Sequence, residues 1–172
     1  MDILAYILSF LGTVSIIASC LVKGKNMKVI LSLVFAANIF VAIGYLVGGD
    51  GINGAISCFI GAAQAFINYF FERKNKAVPI WLIVIYCVAF AAFNLACGFS
   101  IPCVVAILAS MTFVMCIGQK SGAKYRFWTI FNIVLWCLFD VLSHAYPALL
   151  MTHIPQLLFT VLGILIYDRK RN

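Results

Sequence analysis

The chain has 172 residues, 65% of them apolar and 10% charged, with twelve Lys and Arg against five Asp and Glu. Soluble domains carry about 25% charged residues, so this composition excludes a water-facing globular fold and makes the lipid bilayer the first partner. The net charge of +7 is no nucleic-acid footprint, because the basic residues fall in four short clusters that separate long apolar runs, and no nucleic-acid partner is expected.

A membrane-crossing helix needs roughly 17–25 apolar residues, and the spacing predicts seven of them. The first, 3–22, follows Met1-Asp2 without a basic leader or a small-residue cleavage site, so it is expected as a retained span. Lys23, Lys25 and Lys28 precede the second, 29–47, which carries Asn38. Asp50 lies before the third, 53–71. There Ser57, Gly61, Gln64 and Asn68 recur at helical spacing on one face, and Ser57, Gly61 and Ala65 form a small-residue packing row. Arg73, Lys74 and Lys76 precede the fourth, 79–97, whose Asn94 reads as structural. An uncharged connection, Cys97–Ser100, leads to the fifth, 101–118. Lys120, Lys124 and Arg126 precede the sixth, 127–143, and Arg169, Lys170 and Arg171 follow the seventh, 149–167.

With seven spans, the basic clusters follow spans one, three, five and seven and so share one side. Basic residues collect on the cytoplasmic side, which predicts an outside N-terminus and an inside C-terminus. All spans are expected as helices, since an isolated strand leaves its backbone unsatisfied in lipid. Phe70-Phe71-Glu72-Arg73-Lys74 and Ile166-Tyr167-Asp168-Arg169-Lys170 share a pattern 96 residues apart. The same offset sets Gln64 on Thr160 and Ser57 on His153, and Asn38 falls near Asn132. These matches predict two three-helix repeats, 1–76 and 99–172, joined by a linker helix at 77–98. The extra crossing makes the repeats parallel, and parallel repeats place a solute site near the bilayer midplane at their interface.

This all-α, 3+1+3 plan resembles the SWEET and SemiSWEET sugar facilitators. The stretch Phe127-Trp128-Thr129-Ile130-Phe131-Asn132, with Ile166-Tyr167-Asp168-Arg169-Lys170 closing the next span, is similar to the last two spans of PnuC-type vitamin transporters. The opening Ser9-Phe10-Leu11-Gly12-Thr13-Val14 and the short termini resemble the YgjV family of small bacterial inner-membrane proteins. The resemblance implies a multi-pass protein of the bacterial cytoplasmic membrane and facilitated passage of a small polar solute.

Span six carries the strongest polar signal, with Trp128, Asn132, Trp136, Asp140 and His144 at every fourth position. Trp128 reads as an interfacial belt residue and Trp136 as a cavity residue. Asp140 is the only acid well inside an apolar run. It reads either as a solute acceptor or proton carrier, or as an interfacial acid paired with His144 one turn away. Span seven offers His153, Gln156 and Thr160 on the face equivalent to that of span three. The candidate solute-binding set is therefore Asn132, Trp136 and Asp140, then Asn38, Gln64 and Asn68, then His153 and Thr160.

A facilitative transporter for a vitamin precursor, nucleoside or sugar-like solute is the leading reading. The alternative is a non-transporting membrane partner whose polar residues only join helices, and self-association into a homo-oligomer is open under both. An enzyme is not expected: Val47-Gly48-Gly49-Asp50 misses the GxGD aspartyl-protease pattern, and no Ser–His pair is evident. No cofactor or metal is expected, because the seven Cys form no CxxC pair and His144 and His153 lack further ligands at zinc spacing.

Overall fold

The computed structural model describes residues 3–23, 26–48 and 52–168, and among these all regular structure is helical. The expected features at Asp2, Lys25, Asp50 and Arg169–Arg171 lie outside the described residues. The helices are α1 (Ile3–Cys20), α2 (Met27–Gly48), α3 (Ile52–Arg73), α4 (Ile80–Ala96), α5 (Ile101–Ile117), α6 (Gly122–Leu142) and α7 (Leu149–Asp168). A short turn at Tyr146–Ala148 leads into α7. Helices α2, α3, α6 and α7 are long and apolar enough to cross a membrane, while α1, α4 and α5 are apolar and shorter.

Local chemistry sets the helix ends. Ser100 and Ser121 cap α5 and α6, their hydroxyls accepting from the amides of Cys103 and Lys124. The Ser121 cap starts α6 five residues before the apolar run at 127, so Arg126 belongs to the helix and not to a connection. Asn75 and His144 both adopt left-handed backbone, φ 51° and 59°, and terminate α3 and α6. In each case a later amide reaches back to the helix: Lys76 to the Phe71 carbonyl, Ala145 to the Asp140 carbonyl.

The bundle is polar inside and apolar outside. Asn94, Ser110, Arg126, Thr129, Asp140 and Thr160 are at most 1% exposed, whereas Phe10, Trp81, Val88, Val134 and Leu158 are about half exposed or more. Water-soluble proteins rarely show continuous apolar surface of this extent, and lipid tails are its natural cover.

Helix α2 packs between α1 and α3, and α6 packs between α5 and α7. Helix α3 also meets α5, and α7 meets α1, which closes a ring of six. Helix α4 sits outside the ring against α3 and α5 and buries one stripe, Leu82, Tyr86, Phe90 and Asn94. Contacts also define two ends. At one, Cys20, Met27, Ile117 and Tyr125 share a core cluster, and Asp168 reaches Arg126. At the other, Tyr45, Ala55 and Ala145 cluster, and Asp140 meets His153. The described basic residues all belong to the first end.

Candidate functional site

The ring surrounds a partly open cavity of about 60 Å³, displaced toward the end without described basic residues. One ordered water needs at least about 10–15 Å³ by this measure, so the cavity has room for a few. All six ring helices contribute, from Ile16 on α1 to Gln156 on α7.

Two asparagines line the cavity, Asn38 on α2 and Asn132 on α6. Asn38 donates through Nδ2 to the Val34 carbonyl at 2.8 Å. Asn132 donates through Nδ2 to the Ala109 carbonyl at 2.7 Å and lies 3.2 Å from Thr112 Oγ1. A carbonyl accepts only from the NH2 group, so these bonds assign both amides unambiguously. The Asn132 NH2 is thereby spent on the scaffold, Asn38 commits one N–H and keeps the other, and each side-chain oxygen keeps its acceptor capacity. Asn38 Oδ1 packs over Gly61, where an added Cβ would stand 3.0 Å away.

A buried acid stands behind one wall. Asp140 is fully buried and accepts from His153 Nδ1 at 2.5 Å and from Tyr45 Oη at 3.2 Å. His153 lines the cavity, and its ring stacks on Trp136 at 5.9 Å between centroids and an interplanar angle of 10°. No hydrogen bond among the described residues takes His153 Nε2. The three side chains come from α2, α6 and α7, and the acid thereby fixes the imidazole tautomer and orientation.

Local sequence explains how His153 gets there. Pro155 has no amide proton for the Met151 carbonyl one turn earlier. The backbone widens to a π-helical turn over Leu149–His153, and the Thr13 hydroxyl lies 2.6 Å from the Met151 carbonyl. Thr152 and His153 are the buried residues of that turn. The helix defect therefore aims both side chains inward while α1 satisfies the freed oxygen.

The remaining expected residues are buried but stand away from the cavity. Asn68 donates to the Ile117 carbonyl and accepts from Tyr86, joining α3, α4 and α5. Thr160 donates to the Gln156 carbonyl at 2.7 Å and lies 3.2 Å from Cys20 Sγ, at the basic end. Gln64 is enclosed, with Oε1 unpaired. Asn94 is structural as expected, donating to Ser57 Oγ at 3.0 Å and to the Phe90 carbonyl at 2.8 Å.

Two expectations need correction. His144 is not the partner of Asp140: it is exposed, its backbone ends α6, and its ring meets Tyr146 Oη at 3.2 Å. Trp128 is half-buried against the core cluster at the basic end. Arg126 is not a solvated topology marker, since its side chain is 1% exposed. It makes a bidentate pair with Asp168 at 2.6 and 2.9 Å and donates to the carbonyls of Cys20 and Val22. Together with the Ser19–Tyr125 hydroxyl pair at 2.9 Å, this polar layer closes the basic end beneath the cavity.

Comparison with family models, with curated proteins and with solved structures finds no match for this chain. The cavity presents acceptor oxygens, aromatic walls and one buried acid reached through an imidazole. Among the described residues there is no group of three His, Cys, Asp or Glu side chains placed to hold a metal ion. Such a surface offers hydrogen-bonding groups and a ring face to a small molecule.

Proposed function

We propose that this chain is a facilitative transporter for a small polar solute in the bacterial cytoplasmic membrane, and not an enzyme. The carrying observation is a cavity ringed by six helices, its largely apolar wall set with Asn38, Asn132, Gln156 and His153, inside a bundle whose outer surface is apolar. Water-filled polar sites between repeats are where carriers of this plan hold their solutes. The asparagine oxygens replace water around hydroxyl or amide protons, and Trp136 offers a flat apolar face.

The proposal includes seven spans with the N-terminus outside, and two parallel triplets, α1–α3 and α5–α7, with α4 as linker. Equivalent positions supporting the repeat line the same cavity: Asn38 with Asn132, 94 residues apart, and Ser57 with His153, 96 apart. The neighbour order supports it too, because the middle helix is central in each triplet and each triplet meets the other at both flanks. In this state the basic end is closed, so passage requires the Arg126 layer to part while the opposite end closes.

Reconstitution into liposomes tests the proposal with labelled sugars, nucleosides and vitamin precursors. Uptake above protein-free liposomes is expected for at least one class, and Asn132→Ala is expected to cut its initial rate at least about tenfold, the loss of one good hydrogen bond. Equal rates for wild type, Asn38→Ala and Asn132→Ala contradict the proposal.

A further inference from the structure

Among the described residues, Gln64 Oε1 is the only buried side-chain oxygen or nitrogen without a hydrogen-bonding partner. Gln64 is 1% exposed. An amide oxygen in that position is disfavoured, because folding strips its water and returns no hydrogen bond. The other buried polar groups on the same helix are satisfied. Ser57 accepts from Asn94, and Asn68 donates to the Ile117 carbonyl and accepts from Tyr86. A leucine or methionine would fill the place of Gln64 without that cost.

Its depth supplies a reason for the glutamine. Ser57, Gly61, Gln64 and Asn68 share one face of α3. Ser57 lines the cavity, and a Cβ on Gly61 would stand 3.0 Å from both Asn38 Oδ1 and the Phe113 ring, two parts of the cavity wall. Gln64 follows Gly61 by three residues, about 4.5 Å along the helix, toward the basic end. The next residue, Ala65, already belongs to the core cluster of Cys20, Cys116, Ile117 and Tyr125. Gln64 therefore stands between the cavity and the polar layer that closes the basic end. Its counterpart in the proposed repeat, Thr160, lies in that layer, 3.2 Å from Cys20 Sγ.

We infer that Gln64 lines the passage when the basic end is open, where its amide oxygen accepts a hydroxyl or N–H proton of the passing solute. This rests on the carrier reading and extends it to the second state. With the Arg126 layer closed, the oxygen is enclosed and unpaired. Parting of that layer brings it to water and solute, so Gln64 favours opening. The sign of a substitution follows. Methionine has the same length as glutamine and no hydrogen bond to satisfy. It relieves the closed state and removes a hydrogen bond from the open one, and both effects move the population toward closure.

Gln64→Met in the purified full chain tests this with three readouts. The melting temperature in detergent is expected to hold or rise. Cys20, 0% exposed within the closing layer, reports opening: its modification by N-ethylmaleimide, followed by mass spectrometry, is expected to slow about tenfold, the worth of one missing hydrogen bond. Cys103, equally buried at the opposite end beside Asn94, is the reference and is expected to keep its rate. In liposomes, the initial uptake rate of those labelled sugars, nucleosides or vitamin precursors that the wild type carries is expected to fall about tenfold as well. A lower melting temperature, or a variant that does not fold, means that Gln64 holds the closed structure together, directly or through an ordered water, and overturns the inference. So does an unchanged rate at Cys20, or an equal slowing at Cys103, which reports general stabilisation only. The readouts also separate this inference from the carrier reading. Slowing confined to Cys20 in a protein that takes up none of the probes leaves Gln64 in the opening and removes transport. Uptake by Gln64→Met at the wild-type rate leaves transport standing and removes Gln64 from the passage.

Discussion

Arg126 and Asp168 lie in the part of the chain where basic residues mark membrane sidedness, yet the pair is structural. Removing Asp168 leaves a buried guanidinium with the Cys20 and Val22 carbonyls and the face of the Tyr167 ring as its partners. Breaking a buried pair from one side costs about 3–5 kcal/mol. Asp168 is itself 19% exposed, so the lower part of that range is expected for Asp168→Ala. A thermal melt of the purified protein in detergent checks this, and Arg126→Lys should lose most of the same stability because an ammonium cannot make the bidentate fork. At this scale the sequence is legible in polarity and silent on partners. A polar side chain inside an apolar run must face inward, so Asn38, Asn132 and His153 could be picked out. The same reasoning could not separate them from Asn68 and Thr160, which face inward at other depths. Tyr45 was not picked out, because a tyrosine near the end of an apolar helix reads as an interfacial anchor.

Helix α7 shows how one residue reshapes an element. Pro155 frees the Met151 carbonyl, and Thr13 on α1 lies within hydrogen-bonding distance of it. Thr13→Val is therefore expected to cost about 1 kcal/mol in the native background and markedly less when Pro155→Ala restores the helix's own amide. A double-mutant cycle on thermal unfolding measures that coupling. Close packing fixes the other end of α7. A Cβ on Gly163 would stand 2.6 Å from the Cys20 carbonyl oxygen and 2.9 Å from Arg126 Cδ. Gly163→Ala is expected to destabilise by about 1–3 kcal/mol, the usual cost of overpacking, as a fall in melting temperature. The seven helices themselves were legible, because basic clusters and Gly or Ser breaks punctuate the apolar runs. The early start of α6 was not, since it depends on the Ser121 cap and not on hydrophobicity. The link from α6 to α7 was also misread: His144 lies one helical turn from Asp140 in sequence, but its left-handed backbone turns the chain and hands that partnership to His153.

For the whole molecule, the placement of the described basic residues at one end supports the proposed orientation. In a background without cysteine, Asn75→Cys is expected to react with an impermeant thiol reagent only after the membrane is opened. Phe99→Cys, at a position 82% exposed on the opposite end, is expected to react from outside intact cells. The central claim is that solute passes through the cavity between the two triplets. Val41 lines that cavity with an apolar side chain, so Val41→Cys leaves the polar groups in place. The decisive measurement is liposome uptake by this variant before and after modification with an impermeant methanethiosulfonate, with lipid-facing Leu158→Cys as the control. Modification at 41 is expected to stop uptake and modification at 158 to leave it unchanged. Full-rate uptake with position 41 completely modified would place the route elsewhere and contradict the account.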